Sequence, residues 1–308
     1  MANHNSNYTA KPHVDRFEAH LDKIDKSLWK KFTHPKCNVV DEPSGFVLEV
    51  HSQHAFTQAV GYVKFVYKDL FTVLYRGQNR NYNCMKPSIF RRGGSDGMVQ
   101  KRNKAINDFI AGAEHLKLFI SGTPDHAREA LLQHYGINTR WIDLVDNHWI
   151  ALWFSAHKFY ATVDGCSSHC EKREDSDEGG FAYIMLIGAP RFWINRAYPG
   201  QYSDSDANLI DLRVAAPSLY LRPHSQHALL MRRTSYAKSE DVDLQNRVVG
   251  TIRIPLKLVK EWLGVGGLIS ASSLFPPPFY DHGYQQLLEN RPEYSEELAT
   301  ITYLYSGI

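Results

Sequence analysis

The stretch of sequence that decides the fold lies at positions 133–143 and reads QHYGINTRWID. A helical pattern over residues 121–136 leads into it and stops at a glycine, a residue common just beyond a helix end. The residues after the glycine, 137–144, predict an extended segment. Alternate side chains of a strand share a face, so Thr139 and Asp143 are expected to bring a hydroxyl and a carboxylate to the same side.

The polar groups of this block allow two interpretations. An imidazole, a phenol, a hydroxyl, a guanidinium and a carboxylate lie close together in the sequence, which favours a functional site. Alternatively, Arg140 and Asp143 belong to a buried structural network in which the two charges satisfy each other. The residues alone leave both interpretations open.

A second group lies upstream, where the β-branched and aromatic residues Thr72–Tyr75 predict a strand. The strand is expected to end at Arg76 and so to present an arginine at its own edge, where a guanidinium can bind a phosphate through paired hydrogen bonds. Residues 76–104 are rich in Lys and Arg and contain one acid, Asp96. This segment indicates an anionic partner or, alternatively, a solvated basic face balanced by acids elsewhere.

The remaining pattern mixes helices and strands. Ser52 is expected to cap a helix that runs to Tyr67, and a further helix is predicted over Pro255–Leu263. Further strands are predicted at Phe46–Val50, Phe181–Ile187, Leu229–Arg233 and Val248–Ile254. Because the two kinds of element do not alternate regularly, the sequence favours an α+β fold over a doubly wound parallel sheet.

Three regions are expected along the chain. Residues 1–44 form an N-terminal helical extension with a helix over Val14–Phe32, residues 45–290 form the main domain, and residues 291–308 form a C-terminal tail packed on it. The charged segment Glu171–Glu178 predicts an exposed loop that can be deleted with little loss of stability.

Composition excludes several classes of protein. The chain has 308 residues, 43% of them hydrophobic, and a net charge of +2, which is ordinary for a globular protein. It lacks the apolar runs of a membrane helix or a signal peptide, so a soluble, cytoplasmic protein without a membrane partner is expected. Cys166, His169 and Cys170 resemble part of a zinc site, but no fourth ligand follows at a suitable spacing, so no metal is expected.

Several segments together resemble the FRG domain, a family named for its aromatic-Arg-Gly motif. The resemblance extends over about Gly45 to Gln286. It rests on Leu74–Gln78, Leu132–Asp143, Ala151–Ala156, Gln226–Leu230, Ile252–Lys257 and Ser273–Pro276.

A weaker resemblance links the chain to ADP-ribosyltransferases, which use NAD as their substrate. It implies a split antiparallel sheet with flanking helices, with Arg76 as the anchor for NAD, Thr139 and Asp143 as second-strand contacts, and Gln226 as the third-strand group. The catalytic residues that it implies are Arg76, Asp143 and Gln226. The residues that it implies for binding NAD are Tyr75, Arg76, Gly77, Gln78, His134, Tyr135, Thr139 and Arg140.

One departure from that superfamily concerns the third strand, where a glutamate is usual. Residues 217–239 contain no acid. Either Asp143 supplies the carboxylate from the second strand, or Gln226 or His227 acts differently, or the site binds a nucleotide without reaction.

The resemblance to ADP-ribosyltransferases therefore implies an enzyme that transfers ADP-ribose from NAD to a macromolecular acceptor, a nucleic acid or a protein. The resemblance to the FRG family implies a role as a toxin or a phage-conflict effector. The alternative is a non-catalytic domain that senses a nucleotide or a nucleic acid.

Overall fold

The fold is described from a computed structural model for residues 18–93, 95–113, 115, 117–191, 198–236, 238, 240–264 and 269–305. In chain order the strands of this part are β1 (Cys37–Glu42), β2 (Gly45–Val50), β3 (Thr72–Gln78), β4 (Ile142–Val145), β5 (His157–Ala161), β6 (Ser167–Lys172), β7 (Phe181–Ala189), β8 (Gln201–Ser203), β9 (Ala207–Asp211), β10 (Ala228–Arg233), β11 (Val248–Pro255) and β12 (Tyr303–Tyr305). The α-helices are α1 (Gln53–Val66), α2 (Asp96–Gly112), α3 (Asp125–His134), α4 (His148–Ser155), α5 (Leu212–Ala215), α6 (Leu221–Ser225), α7 (Leu256–Leu263), α8 (Ala271–Leu274) and α9 (His282–Glu289).

The described strands form two sheets. The larger has nine strands in the order β1-β2-β11-β7-β3-β4-β10-β9-β8, and among these strands only β2 and β11 pair in parallel. The smaller has the order β12-β6-β5. A large, mostly antiparallel sheet with flanking helices confirms the predicted α+β class.

Helices cover one face of the large sheet in two separate groups. Helices α1, α4 and α7 pack over β2, β3, β7 and β11, and helices α3, α6 and α9 pack over β10. Alternation along β3 divides its side chains between the two faces: Val73 and Tyr75 join the core under α4, whereas Leu74 joins a core on the opposite face. The space between the two groups of helices is where the candidate site lies.

Local sequence accounts for most of the predicted elements. Helix α1 begins after Ser52, whose side chain accepts a hydrogen bond from the amide of Ala55, and it buries Phe56, Val60 and Val63 as its spacing predicts. Helix α7 ends at Gly264. The strands expected at 46–50, 72–75, 181–187, 229–233 and 248–254 and the helices expected at 121–136 and 255–263 are likewise confirmed, with shifted ends.

The helix predicted over Val14–Phe32 is wrong for its described part. From residue 18 onward the chain forms short 3-10 helices at Leu21–Lys23 and Leu28–Lys31; Val14–Phe17 lie outside the described residues. The carboxylate of Asp25 accepts hydrogen bonds from the amide and hydroxyl of Ser27, a local turn that competes with the helix. The chain then enters β1, which pairs with β2, so the boundary predicted between residues 44 and 45 falls within a hairpin.

The exposed loop predicted at Glu171–Glu178 is confirmed only for its middle part, residues 174–176, and is wrong for the residues before it. Strand β6 contains its first two residues and pairs with both β5 and β12. Arg173 is 1% exposed and donates to the carbonyls of Ser155 and Asp177 at 2.7 and 2.9 Å. An arginine that satisfies main-chain carbonyls in the interior has the same sequence appearance as one in solvent, so composition alone did not distinguish them. We therefore no longer expect this segment to be dispensable.

No helix among the described residues combines the length and the apolar character needed to cross a membrane.

Candidate functional site

The site begins where the large sheet splits between two neighbouring strands. Strand β3 pairs with β7 along its whole length, from Thr72 to Gln78, but it pairs with β4 at a single position, Tyr75 opposite Val145. Beyond that pair Nη1 of Arg76 donates to the carbonyl oxygen of Asp143 at 2.7 Å. A guanidinium thus connects the two strands where their backbone pairing has stopped.

This geometry corrects the predicted position of Arg76. Strand β3 does not end there but continues to Gln78, and Arg76 lies opposite Met185 within the sheet. Burial and, to a smaller extent, the charge of Arg91 lower the pKa of Arg76 to about 10. The side chain remains protonated at neutral pH, and its buried Nε has no hydrogen-bond partner. A buried cation with a donor to spare is suited to an anionic ligand.

Gly77 is required by a close approach of helix α4 to strand β3. A Cβ at this position would lie 1.8 Å from the carbonyl oxygen of Ala151 and 2.9 Å from the amide nitrogen of Ser155. Both contacts are with backbone, which cannot rotate away. Gly77 therefore allows helix α4 to lie directly on the strand that carries Arg76. The role of this glycine is close packing and not backbone freedom at a strand end.

We expect Gly77→Ala to lower the free energy of unfolding by at least about 3 kcal/mol, because an added methyl group forces α4 away from the sheet. The matched control is Gly61→Ala in α1, where a Cβ meets nothing within 4 Å. There alanine should raise the free energy of unfolding by about 0.5–1 kcal/mol. Urea denaturation measures both, and a Gly77→Ala protein as stable as wild type would contradict the packing of α4 on β3.

A second polar group surrounds Asp143 on β4. Its side chain is 40% exposed, and one carboxylate oxygen accepts from the side-chain amide of Gln133 at 3.2 Å. The other lies 3.7 Å from Nε2 of His134. Nδ1 of His134 lies 3.1 Å from the amide oxygen of Gln226, whose nitrogen donates to the carbonyl of Leu274. The end of α3 therefore contacts one accessible carboxylate through two side chains, and Gln226, just after α6, holds one of them, His134, in place.

The hydrogen bonds of Gln226 assign the tautomer of His134. The amide oxygen of Gln226 only accepts, so Nδ1 of His134 carries the proton and Nε2 is bare in the neutral ring. Burial lowers the pKa of His134, while the charge of Asp143 opposes that shift. A neutral imidazole nitrogen and a carboxylate oxygen therefore face each other, and both are hydrogen-bond acceptors. This arrangement is suited to a ligand hydroxyl that donates a hydrogen bond.

Arg222 was not among the predicted site residues, although it holds His134 in place. It is buried, its guanidinium lies 4.6 Å from the ring centre of Tyr135 and 4.3 Å from that of Tyr284, and Nη1 donates to the carbonyl of His134 at 2.6 Å. The arginine thus fixes the last turn of α3, which carries Gln133 and His134. The only sequence signal was its place in a polar run before an apolar strand.

A single cleft with a cavity volume of about 1020 Å³ is lined by Arg76, Gln133, His134, Asp143 and Gln226. The cleft lies at the split of the sheet and between the two groups of helices. The aromatic side chains along it were not predicted from the sequence; they are Tyr82, Phe154, Phe159, Tyr160 and Phe275. Phe159 and Tyr160 come from β5, and each is 43% exposed, so flat apolar surface is available for a ring to stack on.

The cleft is positively charged. Arg76, Lys86, Arg91 and Lys158 line it, and Lys158 pairs with Asp177 at 3.0 Å. Among the described residues that line the cleft, Asp143 is the only acid. The arrangement therefore suits an elongated anionic ligand with rings, one part of which reaches a carboxylate.

The structure brings most of the predicted site residues to this cleft. Those that line it are Tyr75, Arg76, Gly77, Gln78, His134, Asp143 and Gln226. Gln226 lies at the end of α6, just before β10, so it precedes the strand on which it was expected.

Tyr135, Thr139 and Arg140 lie away from the cleft. Tyr135 is buried and donates to the carboxylate of Asp281 at 2.8 Å, and the guanidinium of Arg140 donates to both carboxylate oxygens of Glu129. Thr139 is buried and donates to the side-chain oxygen of Gln133 at 2.7 Å.

The strand predicted over residues 137–144 begins only at Ile142. The hydroxyl of Thr139 accepts from the amide of Trp141 at 3.2 Å and so turns the chain before the strand. Thr139 and Asp143 therefore do not share a strand face as expected. Thr139 instead supports Gln133, which in turn contacts Asp143.

Metal ligation has no geometric support in the described part of the chain, where no three His, Cys, Asp or Glu side chains are grouped to hold an ion. Burial raises the pKa of Cys170 to about 12, and a protonated thiol is a poor ligand.

The fold and the cleft together define a mixed α+β protein with a deep basic and aromatic cleft at a split in its main sheet. Residues 72–162 match the FRG domain family, and the chain therefore carries an FRG domain. The matched segment extends from β3 to the residue after β5 and contains Arg76, Gly77, Gln133, His134 and Asp143, whereas Gln226 lies outside it. No curated protein and no solved structure matches the chain.

Proposed function

We propose that this protein has an ADP-ribosyltransferase-like fold, binds NAD in the cleft and transfers ADP-ribose to a macromolecular acceptor. The observation that carries the proposal is the joining of Arg76 and Asp143 at the split between β3 and β4, with a half-buried cation on one strand and an accessible carboxylate on the next. A dinucleotide needs both a cation for its diphosphate and a carboxylate for its reacting ribose.

The dimensions and lining of the cleft support a ligand of this kind. Its volume of about 1020 Å³ lies at the upper end of the range for small-molecule sites, roughly 300–1,000 Å³. Arg76, Lys86 and Arg91 supply positive charge for a diphosphate, and Phe159 and Tyr160 offer rings for a base.

In the proposed reaction, the bond between C1′ of the ribose and the nicotinamide nitrogen breaks, and its electron pair leaves with neutral nicotinamide. An oxygen or nitrogen of the acceptor bonds to C1′ and releases a proton to water. Asp143 stabilises the positive charge that develops on the sugar, as a fixed carboxylate does in a partly buried site. Gln133 and His134 orient Asp143, and His134, being neutral, adds no positive charge beside the carboxylate.

One observation favours a second function, a sensor that binds a nucleotide without reaction. Asp143 is the sole acid among the described lining residues, whereas the transferases that the sequence resembles usually carry a glutamate on their third strand. In the sensor, Arg76 and the aromatic rings bind the nucleotide and Asp143 contacts a ribose hydroxyl.

The test is incubation of the purified protein with a cell extract and NAD labelled in its adenylate part. We expect label in the macromolecular fraction, and digestion with nuclease or protease identifies the acceptor as nucleic acid or protein. Binding of NAD in calorimetry without transfer of label would favour the sensor. Absence of both binding and label would contradict both functions.

A further inference from the structure

A second cavity of about 480 Å³ lies behind the candidate site, where α2, the first turns of α3, residues 140–141 and β10 meet. Its charged lining consists of Arg128, Glu129, Arg140 and Arg232, with Asp125 at the rim. It shares no lining residue with the first cleft. The proposed function makes no use of it.

Among the described residues that line this cavity, the arginines outnumber the acids. Arg140 holds Glu129 through hydrogen bonds of 2.9 and 2.6 Å, and Nη1 of Arg232 lies 3.3 Å from the same carboxylate. Glu129 is buried, so two guanidiniums share one buried negative charge. Arg128 adds a third cation, and its partner Asp125 has a side chain that is 91% exposed. Charges removed from water require compensation, and the single carboxylate of Glu129 can balance only one of the two guanidiniums that share it.

Two buried hydrogen-bond donors of the cavity also lack acceptors. They are Nε of Arg232 and the indole nitrogen of Trp141, a residue only 2% exposed. The guanidinium of Arg232 lies 4.6 Å from the centre of the Trp141 ring, so the two side chains hold each other in place. Neither group accepts hydrogen bonds, and buried donors in native proteins are generally paired. Both therefore call for a ligand that presents acceptor oxygens.

We propose that this cavity is a binding site for a small phosphomonoester, with its phosphate on Arg232 and beside the positive charges of Arg128 and Arg140. A phosphate carries more charge and more acceptor oxygens than a carboxylate, and guanidiniums bind it through paired hydrogen bonds. The cavity volume lies within the usual range for small-molecule sites, about 300–1,000 Å³, so an organic group can accompany the phosphate. Both oxygens of Glu129 are already engaged by arginine, which reduces their repulsion of the ligand.

The test is calorimetry of the full chain at low salt with three probes: inorganic phosphate, ribose 5-phosphate and uncharged ribose. We expect both phosphate compounds to bind and ribose not to bind. Affinity for ribose 5-phosphate should fall as salt is raised, because a charge interaction at a partly open cavity is screened. Ribose binding as tightly as ribose 5-phosphate would overturn the proposal, as would no binding of either phosphate compound.

The decisive variant is Asn107→Glu, which adds a carboxylate at the exposed rim of the cavity without removing an existing ion pair. We expect it to lower affinity for ribose 5-phosphate at least tenfold. Its matched control is Gln100→Glu on the same helix, an exposed position about 10 Å away that does not line the cavity, where affinity should change less than twofold.

Arg232→Gln is the second variant, since Arg140 still compensates Glu129 when Arg232 is lost. We expect binding of ribose 5-phosphate to disappear. Unchanged affinity in both Asn107→Glu and Arg232→Gln would overturn the proposal. The proposal would also be overturned if Arg76→Ala abolished binding of ribose 5-phosphate while these two variants left it unchanged, because the ligand would then occupy the first cleft. The site does not depend on the proposed NAD chemistry, and either can fail alone.

Discussion

Asp143→Asn is expected to lower the rate of ADP-ribose transfer about 10²- to 10³-fold while NAD still binds. The substitution keeps the size of the side chain and leaves the carbonyl that Arg76 contacts in place. It removes the one acid among the described lining residues, and loss of one group that stabilises developing charge has an effect of this size. Initial rates of label transfer, with the NAD dissociation constant from calorimetry, measure the two quantities separately.

The matched control is Asp146→Asn. Asp146 lies just beyond the same strand, but it pairs with Arg213 at 2.8 Å and His227 at 2.9 Å and does not line the cleft. We expect its transfer rate to stay within a few-fold of wild type. Equal transfer rates for wild type and Asp143→Asn would show that Asp143 takes no part in the reaction and would contradict the proposed mechanism.

Arg76→Ala is expected to weaken NAD binding by about 30-fold or more and to abolish label transfer. Loss of one partner of a buried, charged contact typically costs about 2–5 kcal/mol of binding free energy. The same change leaves the carbonyl of Asp143 without its donor, which costs roughly 1–3 kcal/mol of stability. Calorimetry with NAD and urea denaturation are therefore made on the same preparation.

Two variants separate binding from structure at this position. Arg92→Ala is the control, because Arg92 belongs to the same basic segment, is exposed and does not line the cleft, so NAD affinity and stability should both be unchanged. Arg76→Lys retains the charge but loses the planar fork, so it should bind NAD more weakly than wild type and more tightly than Arg76→Ala. If folded Arg76→Ala binds NAD as tightly as wild type, Arg76 does not bind NAD and serves only to join the two strands.

Local patterns predicted the elements that depend on local physics. The Ser52 cap and the apolar spacing after it gave α1, and the run Phe181–Ile187 gave the central strand β7. The Arg-Gly pair was identified as part of a site, and the residues on either side of it line the cleft. The reason for its glycine, contact with the backbone of Ala151, depends on a helix distant in sequence.

The errors arose where a side chain has a tertiary partner. Thr139 bonds Gln133 and turns the chain before β4, so Arg140 points to the second cavity instead of the first cleft. Arg173 looked solvated but satisfies main-chain carbonyls in the interior. A polar side chain has the same sequence signature whether its partner is water or buried backbone.

By itself, therefore, the sequence determined the α+β class and most helices and strands, because capping, periodicity and strand propensity act over a few residues. It also offered Arg76, His134, Asp143 and Gln226 as site candidates, through their clustering along the chain and the resemblance to known families. Only the tertiary structure decided that β3 and β4 separate after one pair, that Arg76 joins them, and that the rings of Phe159 and Phe275 face the gap. These contacts join segments far apart in the chain, and they depend on packing and charge burial that appear only when the sheet forms.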